Sequence, residues 1–203
     1  RTAADRSANG QFEYPGLTSA ELRSISAGEV SSLYFSGRMD YAFDDNVFTT
    51  EGGFAEVQNE LFVTGIGRVQ VTKADKPWGR INLSLPNLNV MIWGQGRKSI
   101  EPQYALATGA PLHEKSSVFH GEVQTNFNLL EDALRVILGA SHRLYSVDTR
   151  GTLMADKQED NTSGVLAQLE YAPTDWIKLV GAARWDRSTL HEDQISPKGA
   201  VVW

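Results

Sequence analysis

The chain has 203 residues, 41% of them hydrophobic, and its 19 basic and 25 acidic side chains leave a formal net charge of -6. That balance argues against a nucleic-acid partner, which calls for a basic face. The absence of cysteine removes thiol catalysis, zinc ribbons and disulfides together. No apolar run approaches the ~18 residues of a spanning helix, and Arg1 to Asp5 lacks the charged and apolar regions of a signal peptide.

Residues 1–30 read as a surface loop, with a helical turn at Ser19 to Arg23. A period of two then begins. Leu33, Phe35, Gly37, Met39, Tyr41 and Phe43 alternate with Tyr34, Ser36, Arg38, Asp40 and Ala42, and Asp44-Asp45-Asn46 supplies turn chemistry. Phe48, Gly52 and Phe54 continue the apolar face opposite Thr49, Glu51 and Gly53. The stretch from Ile66 to Leu85 reads as one long strand with a bulge or kink at Pro77, where a proline is tolerated. Further on, Phe119, Gly121, Val123, Thr125, Phe127 and Leu129 oppose His120, Glu122, Gln124, Asn126 and Asn128. Leu134, Val136, Leu138 and Ala140 oppose Arg135, Ser141 and Arg143. The last alternating segments are Val165 to Tyr171 and Ile177 to Trp185.

Nine strands are expected, near 32–43, 47–58, 66–85, 89–98, 116–129, 133–147, 163–172, 176–187 and 197–203. Short turns (44–46, 86–88, 130–132, 173–175) alternate with longer polar connections (58–65, 99–116, 147–163, 188–196). An outer-membrane barrel alternates in this way, with tight turns inside and long loops outside. Several strands reach the ~9–11 residues that cross a bilayer at a tilt, and aromatic rings such as Trp176 and Trp185 lie toward strand ends. A soluble β-sandwich also alternates, but Gly37, Gly52, Gly121 and Gly181 on the apolar face would leave holes in a packed core, and lipid tails fill such holes. The expected fold class is therefore all-β, a partial transmembrane antiparallel up-and-down barrel in the bacterial outer membrane, with lipid as its first partner.

Gly164 to Tyr171 resembles a barrel strand of TonB-dependent outer-membrane receptors. Leu179-Val180-Gly181-Ala182-Ala183-Arg184-Trp185-Asp186 is similar to that family's G-x-R-x-D strand. Ser196-Pro197-Lys198-Gly199-Ala200-Val201-Val202-Trp203 resembles its S-P-[RK]-x-A-x-x-[YW] strand start, and Leu138 to Arg143 an upstream strand. The match is specific over 116–203 and looser over 31–98. The resemblance implies a 22-stranded barrel filled by the receptor's own plug domain and powered by the TonB energy-coupling protein. It also implies uptake of a scarce ligand: a siderophore, a cobalamin or an oligosaccharide. No plug or coupling box is legible here, and nine is an odd count for a bacterial barrel, so 31–203 reads as a fragment of a longer product. Two alternatives stay open: a passive porin-like or structural barrel, and a soluble β-sheet binding domain.

No catalytic, cofactor or metal site is expected, and the chain reads as no enzyme. His113, His120, His142 and His191 have no metal-ligand spacing, and the acidic pairs sit in solvated turns. Gly65-Ile66-Gly67 and Gly94-Gln95-Gly96 lack the βαβ context of a phosphate loop. The lumen side should carry Arg38, Asp40, Glu51, Glu122, Gln124, Arg135, Arg143, Gln168, Glu170, Lys178, Arg184 and Asp186. Ligand contact should fall to loop residues: Tyr104, His113, Leu153, Met154 and His191.

Overall fold

The computed structural model describes residues 29–203. The helical turn expected at 19–23 lies outside the described residues, as does the loop over 1–30 save for Glu29 and Val30. Among the described residues there is no helix, and eleven strands form one antiparallel sheet. They are β1 (Ser31–Phe43), β2 (Asn46–Thr64), β3 (Gly67–Ser84), β4 (Leu88–Ser99), β5 (Gln103–Ala105), β6 (Ala110–Leu112), β7 (Lys115–Leu129), β8 (Leu134–Asp148), β9 (Gln158–Thr174), β10 (Ile177–Ser188) and β11 (Gln194–Val202). Nine long strands run in the order β1-β2-β3-β4-β7-β8-β9-β10-β11, each beside its chain neighbour. The short β5 and β6 pair with each other, and β5 adds to β3. The sheet is not closed; β1 and β11 are its two edges.

Residues directly opposite in an antiparallel pair share a face, so the register fixes which side chains stand together. One row crosses all nine long strands as Tyr41, Phe48, Leu83, Val90, Val123, Ala140, Val165, Trp185 and Ile195. The adjacent row, on the other face, reads Asp40, Thr49, Asn82, Met91, Glu122, Ser141, Gly164, Asp186 and Gln194. One side of the sheet is thus apolar across its width and the other polar. Among the described residues the apolar side is uncovered: Tyr41, Val123, Val165 and Ile195 are exposed.

Turn chemistry sets the short end. Asp44 turns the first hairpin with φ 48°, and Leu130, Glu131 and Asp132 turn β7 into β8 with φ of 53°, 52° and 70°. Aspartate tolerates the left-handed region at little cost; a leucine there is held by the closure of the hairpin around it, where Leu129 pairs with Leu134.

Three expectations need correction. The connection expected at 58–65 is strand: β2 runs on to Thr64, pairs with β3 beyond the apolar band, and turns only at Gly65 and Ile66. The polar run Gln58-Asn59-Glu60 hid this, and Asn59 carries φ 53° within it. Second, Pro77 makes no bulge. Registers on either side of it match (Asp75 with Lys98, Trp78 with Gln95), and what is missing is pairing with β4 at Lys76 and Pro77. A proline has no N–H to give that ladder. Third, the 99–116 connection is not loop throughout, since it folds the β5–β6 hairpin.

The buried apolar residues all lie at the long-loop end. Val57, Val69, Val71, Ala74, Leu106 and Leu112 are buried, with Phe62 packed against Val57, Val71 and Ala74. The β2–β3 extension, the β5–β6 hairpin and the flanking connections therefore form a small packed unit of their own.

Candidate functional site

Two places concentrate polar chemistry: the polar face of the sheet and the loop end. On the polar face, Arg38 reaches Asp40 with Nε at 2.8 Å and Nη2 at 2.9 Å, and Thr49 donates to Asp40 Oδ1 at 2.6 Å. Glu51 stands 2.6 Å from Arg80 Nε and 3.8 Å from Arg38 Nη1. Further along, Arg143 donates to His120 Nδ1 at 3.3 Å and to the Tyr145 hydroxyl at 3.1 Å, with its guanidinium 5.9 Å from the Trp93 ring centroid. His120 faces Glu122 at 3.3 Å. At the far side Arg184 pairs with Asp186 and reaches Ser141 Oγ at 3.4 Å, while Lys178 meets Glu170 at 3.2 Å. The twelve residues expected on the lumen side thus share one face.

Glycine makes two of these arrangements possible. A Cβ at Gly164 would lie 2.5 Å from Arg184 Nη2 and 2.6 Å from Asp186 Oδ1, so the ion pair lies across a bare backbone. At Gly53 a Cβ would meet Trp78 Nε1 at 2.6 Å and the Phe35 carbonyl at 2.7 Å. The indole covers the glycine, a recognised way of protecting one in a strand.

At the loop end the connections are tied together. His113 N donates to Thr152 Oγ1 at 3.1 Å, joining the connection after β4 to the one after β8. Thr149 is buried and accepts from the Met154 and Leu153 backbone at 2.9 and 3.3 Å. Gln103, also buried, donates to Ser99 Oγ at 2.6 Å and accepts from Arg97 at 3.1 Å; Arg97 is also paired with Glu114. Beside β10, Asp160 accepts from Ser188 Oγ at 2.8 Å and Thr189 Oγ1 at 2.7 Å. The Thr189 hydroxyl first, then that of Ser188, holds the Asp160 carboxyl below the usual carboxylate range.

These ties frame an open cleft of about 560 Å³ under the β2–β3 tip, within the size range of small-molecule sites. Phe62, Ile66, Val69, Leu112 and Leu153 give it an apolar wall, and Lys76, Arg97, His113 and Glu114 supply the charge and polarity. Of the loop residues expected to meet a ligand, His113 and Leu153 reach this cleft. Tyr104 does not line it; it pairs with Gln70 and Pro111. Met154 is likewise not in the wall. His191 sits in the β10–β11 connection, exposed and bonded to the Glu192 carbonyl at 2.9 Å. Sequence reasoning missed Phe62, Lys76 and Arg97. The signal available was the apolar pair Val69 and Val71, which a half-solvated strand does not require.

No family model matches the chain, and neither does any curated protein. Among solved structures it is similar to OmpTdeltaL8, a loop L8 deletion mutant of OmpT, an outer membrane protein of Vibrio cholerae. The likeness covers 86% of this chain and 53% of that one at 10% identity and a TM-score of 0.45, so the chain spans about half the length of that structure. The expectation that the chain is no enzyme is corrected here. One fold carries many unrelated activities, so the geometry of this sheet excludes none of them.

Proposed function

We propose that the chain is part of the wall of an outer-membrane β-barrel, with its apolar face in lipid and its polar face toward the lumen. The single observation that carries this reading is the unbroken apolar row from Tyr41 to Ile195 beside a polar row from Asp40 to Gln194. A soluble sheet with this pattern would pack its apolar side against a second layer, and among the described residues that side is bare. The apolar stretch also has the right height. On β7 it runs from Phe119 to Phe127, about 26 Å along the strand and about 20 Å after a tilt of about 40°, near the ~25 Å band of such barrels. The exposed edges at β1 and β11 would be completed by further strands of the same product, since an open edge is unsatisfied in lipid.

The chain contains no cysteine, so the reading is tested by single substitutions in it, in an intact gene product freed of any other cysteine. In bilayers, Val123→Cys and Val165→Cys should resist a water-soluble maleimide, while Glu122→Cys and Gln168→Cys should react. Equal labelling of the two sets would sink the proposal.

The finer reading is a TonB-dependent receptor, in which outer loops capture a scarce ligand and a plug gates its passage. It rests on the resemblance of 116–203 to that family's strands. Binding of the intact product to the periplasmic domain of TonB is the expected result. Failure to bind would remove energy coupling, favour a passive or structural barrel, and leave the wall reading intact.

A further inference from the structure

We propose that the outer cleft is a binding site for an amphiphilic anion, a small molecule with an apolar body and one acidic group. The inference rests on the barrel reading only for the side from which such a molecule arrives. Three observations carry it.

The first is an apolar wall that stays open. Val69 and Leu112 are buried behind the cleft, while Ile66 and Leu153 stand more than half exposed at its rim. Exposed apolar residues gathered around a concavity mark a contact surface. The second is the charge balance. Glu114 is neutralised by Arg97, whose guanidinium is also held by Gln103. Lys76 has no carboxylate within ion-pair distance among the described residues; its ammonium lies 5.4 Å from the centroid of the Phe62 ring. A cation held against an aromatic wall, with no counter-ion among the described residues, is the complement of an acidic group attached to an apolar body.

The third is continuity. Lys76 and Arg97 also line a second cleft of about 420 Å³ with Ala55, Trp78, Gln95 and Val118. It lies where Lys76 and Pro77 leave the β4 ladder unpaired. Lys76 therefore stands at the junction between the outer cleft and the polar face of the wall. A ligand anchored there has its acid beside the next compartment rather than at a dead end.

The test uses the intact gene product in lipid nanodiscs and three ten-carbon probes: decanoate, decanol and decyltrimethylammonium. Equilibrium dialysis, with protein-free nanodiscs subtracted, reads the binding that the protein adds. Decanoate should bind in excess, and Lys76→Gln should weaken it about tenfold, with Lys76→Arg restoring most of the affinity. Decanol should bind weakly and equally to both, and the cationic probe should show no excess. Ile66→Ser, at an exposed turn that carries no fold, should weaken decanoate and decanol alike. No excess binding of decanoate, binding indifferent to Lys76→Gln, or equal binding of the cation would each overturn the proposal. The maleimide pattern reads the wall independently. Loss of decanoate binding with that pattern intact overturns the cleft alone; equal labelling with binding intact overturns the barrel alone.

Discussion

The nine-stranded wall and the outer hairpin unit are built from the same kind of strand but stabilised by opposite means. In the wall, residues such as Ile92, Val123 and Leu169 are exposed, and among the described residues no second layer covers them. Its backbone is paired and its polar face carries ion pairs, but its apolar term comes from the surrounding solvent. In the outer unit, Val71 is 1% exposed and Ala74 is fully buried. That unit supplies its own apolar contacts. The difference teaches that burial within a chain and hydrophobic pattern are separate quantities: the wall has pattern without burial, and the outer unit has burial with little pattern.

The comparison can be broken most sharply at the middle of the wall. Val123→Arg should destabilise the protein in vesicles by about 2–4 kcal/mol, the cost of a charge near the bilayer midplane, as read by urea unfolding. Gln124→Arg, one residue along on the polar face, should cost little. Equal effects would mean that the two faces see the same solvent. Next in size, Val71→Ala should cost about 2 kcal/mol from the lost packing. Hydrogen exchange should quicken across 57–74 while the amides of β7 to β10 keep their protection. A uniform loss across the sheet would show the two regions to be one cooperative unit.

Smaller effects sharpen the picture within the wall. Gly53→Ala should cost on the order of 1–2 kcal/mol, because the Phe35 carbonyl that its Cβ would strike belongs to the backbone. Gly164→Ala should cost less than about 1 kcal/mol, since the atoms it meets are the ends of Arg184 and Asp186, which can swing aside. Reversal of that order in paired unfolding curves would contradict the steric account.

The smallest effect is a pH dependence at the loop end. Asp160 lies beyond the apolar stretch of β9, which begins at Val165, and its carboxyl is held low by the hydroxyls of Thr189 and Ser188. A depressed carboxyl stabilises the folded loop fully above its unfolded value near 4, and that contribution is lost as pH falls through the lower folded value. Amide exchange at Thr189 and Leu190 should therefore quicken only below about pH 4. Asp160→Asn should remove the pH dependence.

Much of the wall was legible in the sequence because its physics is local. The alternation from Leu33 to Phe43 and from Phe119 to Leu129 needs only the pleat of a strand. The turns at Asp44-Asp45 and Leu130-Glu131-Asp132 announced themselves by composition, and Pro77 was correctly kept inside one long strand. The candidate cleft was not legible, because nothing local distinguishes Phe62 or Lys76 from any other strand residue. They share a cleft with His113 and Leu153 only through contacts distant in sequence, the pairing of β5 with β3 and the bond of His113 to Thr152. The error at 58–65 has the same root: a polar run signals solvent, and a strand that runs on beyond the apolar stretch is solvated too.

The gap in the ladder at Lys76 and Pro77 has a mechanical consequence. A sheet resists bending because each rung couples a strand to both neighbours, and compliance concentrates where a rung is missing. Beyond the gap β3 pairs with β4 again at Asp75 and Ala74, and β2 and β3 then continue to the turn at Gly65 and Ile66 as an arm braced on one side by β5. A load applied at that tip should bend the sheet first at this interruption, with the rungs at Ala74 and Asp75 moving with the arm. The strands fixed in the wall then keep their register while the arm moves.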